Sequence, residues 1–191
     1  MQLIENLKPV FETYMTGTFA YRPISRSDAF PLYEAAQEPQ FLSKLWWGPP
    51  DTYADAVVEV DKLLGEHTTN TSVVLSVVER TTGKWIGFVK FMEWEDTLMM
   101  TLWTHPDYWR STTPFRCAET AVDIVIQNTN LPFIYARVTK DYPVMEKMVM
   151  SNGFIHEGES TGMHTNGTVM PCNVFKLTRE NWTRTPKSSR Y

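Results

Sequence analysis

The chain has 191 residues, of which 42% are hydrophobic and 21% charged, and its formal net charge is −4. This is room for one compact domain with a sizeable core. It excludes a disordered polymer and a coiled coil, and it argues against a general nucleic-acid binder, which would show a basic face.

The apolar runs, such as Ile124-Val125-Ile126, are far too short to span a bilayer. Met1-Gln2-Leu3-Ile4-Glu5-Asn6 has no basic region followed by an apolar stretch, so no secretory signal is read. The expectation is a cytoplasmic protein, or one of host cytoplasm and virion if viral, with no membrane or nucleic-acid partner. Cys117 and Cys172 then read as free structural thiols. The four histidines, His67, His105, His156 and His164, show no metal-ligand pairing, so no metal is expected.

Residues 1–16 read as a lead-in with amphipathic character, interrupted by Pro9. Residues 18–24 alternate as a strand, and Ser25 to Asp28 opens a helix that runs to about Gln37. Trp46-Trp47-Gly48-Pro49-Pro50-Asp51 is a loop, followed from Thr52 by a helix with Val57, Val60, Leu63 and Leu64 on one face. Three strands cover 72–79, 85–94 and 97–104, with Thr82-Gly83 as a hairpin turn. Thr113-Pro114 starts a helix, since Thr caps and Pro suits the first helical position. A strand over 133–139 follows. The next helix opens at Asp141-Tyr142-Pro143 and closes at Asn152-Gly153 in the manner of a left-handed cap. Strands over 154–160 and 169–177 complete the order, and residues 183–191 form a polar, basic tail.

The order β-α-α-β-β-β-α-β-α-β-β describes an α/β domain over residues 17–182. It predicts a mixed, mostly antiparallel sheet of about seven strands with helices on both faces. Several phrases carry a resemblance in order and spacing. They are Tyr21-Arg22-Pro23-Ile24 with Asp28, Gly83-Lys84-Trp85-Ile86-Gly87-Phe88, His105-Pro106-Asp107-Tyr108-Trp109, Ala118-Glu119-Thr120-Ala121, and Met145-Glu146-Lys147-Met148 leading into Gly153-Phe154. Together they resemble the GCN5-related N-acetyltransferase (GNAT) superfamily, nearest to the branch of ribosomal-protein N-terminal acetyltransferases.

The resemblance implies a splay between the fourth and fifth strands that holds the pantetheine arm of acetyl-CoA, with the pyrophosphate at the next helix N-terminus. It assigns cofactor contacts to Trp103, Thr104 and His105, to Arg110, Ser111, Thr112, Thr113 and Arg116, and to Tyr142. The family's Arg/Gln-x-x-Gly-x-Gly/Ala loop is altered here, because its small positions fall on Thr113 and Phe115. Hydroxyls of Ser111 to Thr113 and the two arginines are the expected replacements. An acid often found on the fourth strand falls on Met99, and a tyrosine often found in the following helix falls on Val149.

Glu93 and His105 are the candidate bases, with Glu95 and Asp96 nearby on the same turn. Trp46 and Trp47 are candidates for the substrate or partner loop. Two functions are expected from these residues. One is an acyl-CoA-dependent N-acyltransferase acting on a primary amine of a small molecule or protein. The alternative is a catalytically inactive GNAT-fold module in a larger assembly such as a viral particle.

Overall fold

The computed structural model describes residues 2–12, 14–38, 50–140, 142–163 and 169–184. Seven strands form one sheet in the order β1-β2-β3-β4-β5-β7-β6. They are β1 (Phe19–Pro23), β2 (Ser72–Glu79), β3 (Trp85–Trp94), β4 (Thr97–Thr104), β5 (Phe133–Thr139), β6 (Ile155–Met163) and β7 (Val169–Thr178). All neighbours are antiparallel except β4 and β5. The mixed, mostly antiparallel sheet expected from the element order is therefore present.

The local reasons are those of the sequence. Gly83 takes φ 72° in the β2–β3 turn and Gly153 takes φ 86° after the helix that precedes β6. Helix α3 (Tyr53–Thr68) opens with a capping box, in which the Thr52 hydroxyl accepts the Asp55 N–H at 3.2 Å and the Asp55 carboxylate accepts the Thr52 N–H at 2.9 Å.

Helices cover both faces. On one face α1 (Gln2–Glu12) and α4 (Thr113–Asn128) pack with Val73, Leu75, Val89 and Phe91. On the other, α2 (Ala29–Ala36) and α3 lay Leu32, Ala56, Val60 and Leu63 over Val74, Phe88 and Trp103. Among the described residues, no helix is long and apolar enough to cross a membrane. Cys117 and Cys172 are both buried free thiols, and burial pushes the Cys117 pKa up to about 12.

Two elements differ from the sequence reading. The segment read as an interrupted lead-in is a continuous helix, α1, with Ile4, Leu7 and Phe11 wholly buried. Pro9 sits on its exposed side. Burying three large apolar side chains is worth about 1.5–3 kcal/mol each, which outweighs the roughly 3 kcal/mol of a helical proline. The second difference is α6 (Arg179–Arg184), a short polar helix held by Trp182, which is buried and donates its indole N–H to Asp123 Oδ1 at 2.7 Å.

A buried carboxylate ties β1, β2 and the α2 entry together. Asp28 is 2% exposed, and its Oδ2 accepts from Arg22 Nη1 at 2.9 Å, the Ser25 N–H at 2.8 Å and the Ser76 hydroxyl at 2.7 Å. The Trp85 indole N–H reaches the same Ser76 oxygen at 3.2 Å. Removing Asp28 leaves these donors without their acceptor, although Arg22 is 38% exposed and can be hydrated. Asp28→Ala is expected to cost about 2–3 kcal/mol, the scale of hydrogen bonds to a charged group, read as a lower urea midpoint at unchanged m. A midpoint equal to wild type would show that the network contributes nothing net.

Candidate active site

The strands β4 and β5 pair only at Met99–Tyr135 and Met100–Ala136, and beyond these positions the ladder stops. The N–H of His105 donates to the Ile86 carbonyl at 2.7 Å, which fixes the alternation along β4. Residues 101, 103 and 105 therefore bond toward β3, and Leu102 and Thr104 turn their backbone groups toward the gap. The Thr104 carbonyl is taken by the Trp109 indole N–H at 2.8 Å. The Leu102 N–H and carbonyl and the Thr104 N–H remain directed into the split.

The split opens into a cleft of about 330 Å³ between the end of β4, the start of α4 and α5 (Pro143–Ser151). Its walls are mainly apolar, from Leu102, Pro114, Phe115, Val144, Met145 and Met148. Polar groups in its lining come from Thr104, Ser111, Thr112, Tyr142, Lys147 and Ser151. A smaller cavity of about 70 Å³ continues along β5, sharing Leu102, Trp103, Tyr142 and Met145 with the first and adding Ala136, Arg137 and Thr139.

The start of α4 is built differently from the expected cap. Thr112, not Thr113, occupies the N-cap position, and its side chain makes no capping bond. The Thr113 N–H is consumed by the Ser111 hydroxyl at 3.1 Å, which itself donates to the Tyr108 carbonyl at 2.8 Å. Pro114 has no N–H, and the Arg116 N–H bonds the Thr112 carbonyl at 3.0 Å. Of the first-turn donors, the Phe115 N–H is left for an anion, with the Thr112 hydroxyl beside it.

The structure brings five of the expected residues round one cleft: Trp103, Thr104, Ser111, Thr112 and Tyr142. Thr113 is not among the lining residues, and its N–H goes to the Ser111 hydroxyl. Arg116 is drawn to the other side, with its Nη2 donating to the Thr18 hydroxyl at 3.1 Å and its guanidinium over the Phe19 ring at 5.5 Å. That position removes it from the cleft lining. Arg110 is exposed between two lining residues, Trp109 and Ser111.

Neither candidate base lies in the split. Glu93 follows Val89 and Phe91 onto the α1 side of β3, by strand alternation. There its pKa is lowered by the chain's amino terminus, and further by the N–H groups of Ile4 and Leu3. His105 lines a separate polar cavity with Arg22, Asp28, Glu34 and Lys84. Its Nδ1 accepts the Asp107 N–H at 3.2 Å, which caps the short 3-10 turn Pro106–Tyr108, and burial lowers its pKa. Trp46 and Trp47 lie outside the described residues.

Met99 and Val149 are buried, at 1% and 6% exposure. The cleft therefore carries no acid at the first position and no phenol at the second. Tyr142 is the phenol that lines both cavities, and burial raises its pKa, so it keeps its proton at neutral pH. The sequence reading missed Leu102, Trp109 and Lys147. Lys147 had a legible signal, since Val144, Lys147, Met148 and Ser151 follow the i, i+3, i+4, i+7 stripe of one helix face.

An acyl-CoA fits part of this arrangement well. The Leu102 and Thr104 backbone groups suit an amide-bearing chain between apolar walls, as in the pantetheine arm. The α4 end offers its anion fewer backbone donors than a glycine loop would. Among the described residues, no group of three or more His, Cys, Asp or Glu could hold a metal ion.

A sequence profile of the acetyltransferase (GNAT) domain matches residues 19–155. No curated protein matches the chain by sequence. A GCN5-related N-acetyltransferase from Brucella melitensis superposes with a TM-score of 0.78 at 15% identity, covering 92% of this chain and 82% of that one. Spermidine N-acetyltransferase from Vibrio cholerae, solved with CoA and spermine, gives 0.69 at 16% identity, covering 88% and 99%. Ribosomal-protein-S5-alanine acetyltransferase from Vibrio fischeri gives 0.62 at 18% identity, covering 88% and 97%. These likenesses show the fold, and the profile, spanning well over half of the residues, shows the family. The chain belongs to the GNAT acetyltransferases.

Proposed function

We propose that residues 17–182 form one acyltransferase domain that moves an acyl group, acetyl in the simplest case, from coenzyme A to a primary amine of a small molecule or protein. The observation that carries this reading is the β4–β5 split, with the Leu102 N–H and carbonyl and the Thr104 N–H facing an apolar cleft of about 330 Å³. The thioester supplies the activated acyl group. The chain's part is to hold the donor, exclude water and orient the amine, which can account for much of the rate.

In this reading Leu102, Trp103, Thr104 and Tyr142 line the pantetheine arm. Ser111, Thr112 and the Phe115 N–H meet the phosphates, and the exposed charges of Arg110 and Lys147 stand at the mouth. The backbone N–H groups of Leu102 and Thr104 are the donors available to a developing oxyanion. Tyr142 holds a proton at its hydroxyl where a thiolate would leave. With neither Glu93 nor His105 in the split, the amine must arrive already neutral.

The test is release of free thiol when the protein is mixed with acetyl-CoA and a panel of amines, including lysine-bearing peptides. Thiol release that depends on both partners supports the reading. A second reading, a GNAT-fold module without turnover, is favoured by the spent donors at the start of α4 and by the apolar Met99 and Val149. Acetyl-CoA binding without thiol release from any amine would favour a binding module, and absence of both would favour a structural one.

A further inference from the structure

The acceptor side of the split carries a charge that has no counter-ion among the described residues. Ile134, Ala136 and Val138 of β5 face α4, so Tyr135, Arg137 and Thr139 face the α2–α3 side of the sheet. The last β4–β5 pair is Met100–Ala136, which places Arg137 at the apex where the strands part. Two cations stand on this face of β5 and β7, Arg137 and Lys176. Lys176 is paired with Glu157 at 3.3 Å. Arg137 meets no carboxylate among the described residues.

Its guanidinium is held in place by neutral partners. Nη1 donates to the Thr161 carbonyl at 3.3 Å, and the group lies over the Trp94 ring at 5.6 Å. Arg137 also lines the smaller cavity with Thr101, Trp103 and Thr139. A half-buried guanidinium fixed by a ring and one carbonyl retains N–H donors for an anion, in the fork geometry that suits carboxylate or phosphate. The α4–α5 side of the split is taken by the cleft assigned to the donor, so the acceptor approaches from the side that Arg137 faces.

We infer that the acceptor is an amine that also bears an anionic oxygen group, and that Arg137 binds that group. This rests on the acyltransferase reading above. Arg137 is a specificity residue here, because it touches the acceptor away from the reacting nitrogen. A polycationic acceptor is disfavoured by the same charge.

The experiment compares matched pairs with acetyl-CoA: β-alanine against β-alaninamide, and O-phosphoethanolamine against ethanolamine, with spermidine as the polycation. Rates are normalised to the free-amine fraction. The anionic member of at least one pair is expected to lead by about tenfold or more in kcat/KM, chiefly through KM, as charge-assisted hydrogen bonds of this scale imply. The carboxylate and phosphate arms tell which group is preferred. R137Q should bring the ratio close to one, and R137K should keep part of it. Equal use of both members, a lead by spermidine, or an undiminished ratio in R137Q would each overturn the inference.

If no amine is acetylated, calorimetric titration of the same compounds decides. Binding of the anionic member that R137Q loses supports the role of Arg137 even though acyl transfer has failed. No binding by wild type overturns both.

Discussion

The rate of acyl transfer is expected to rise about tenfold per pH unit until the acceptor amine is neutral, because among the described residues no carboxylate or imidazole lines the split. For a lysine-like amine this is roughly 100-fold between about pH 6.5 and 8.5, and for an α-amino group the rise should flatten near about pH 8. The sign follows from the placement of the two candidate bases. Burial lowers the pKa of His105, so an imidazole base there would already be neutral above about pH 6.5 and would give a flat profile. Glu93, with its pKa lowered by the amino terminus and the α1 N–H groups, would be ionised throughout the range and would also give a flat profile. The measurement is kcat/KM against pH for wild type, His105→Asn and Glu93→Gln. A flat neutral profile that either substitution abolishes would contradict this account and assign the base.

Alanine in place of Gly87 should damage both the sheet and the cleft. A Cβ at this position would stand 2.0 Å from the Trp103 carbonyl oxygen and 2.7 Å from the Thr104 Cα. Both are backbone atoms of β4, so no side-chain rotation relieves the clash. The strand itself must move, and Leu102, Trp103 and Thr104 line the donor cleft. The expected cost is about 3 kcal/mol, the upper part of the usual range for overpacking. For a chain of this size that is a melting temperature lower by roughly 6–12 °C. Acetyl-CoA binding should weaken in the fraction that remains folded. A melting temperature within about 2 °C of wild type, well below that shift, would mean that β3 and β4 approach less closely than the geometry states.

The fold was legible because its signals are local. Thr52 with Asp55, Gly83 and Gly153 each mark a boundary by their own chemistry, and the strands between them alternate or run apolar. Helix α1 was harder to read, because Pro9 argues against a helix unless the burial of Ile4, Leu7 and Phe11 is known. The site was legible where backbone defines it, at the end of β4 and the start of α5. Side-chain roles were not. Whether Glu93 faces the acceptor or α1 depends on which face of β3 carries Val89 and Phe91, a tertiary fact. Arg116 looked suited to phosphate from its neighbours in sequence, yet Thr18 and Phe19, almost a hundred residues away in the chain, claim it. Arg137 carries no signal of its own in a strand of ordinary composition, because its meaning comes from the point at which β4 and β5 separate.

The central claim is that the β4–β5 split binds an acyl-CoA, and thermal unfolding of the whole chain with increasing acetyl-CoA tests it most directly. A ligand that binds only the folded state at about 100 times its Kd adds about 2.7 kcal/mol, which here is a rise of roughly 5–11 °C. The account predicts such a rise with acetyl-CoA and with CoA, and a smaller one after Thr104→Pro, which removes an N–H directed into the gap while leaving the β3 side of the ladder bonded. No rise with either compound at millimolar concentration, from a chain that melts cooperatively, would contradict it.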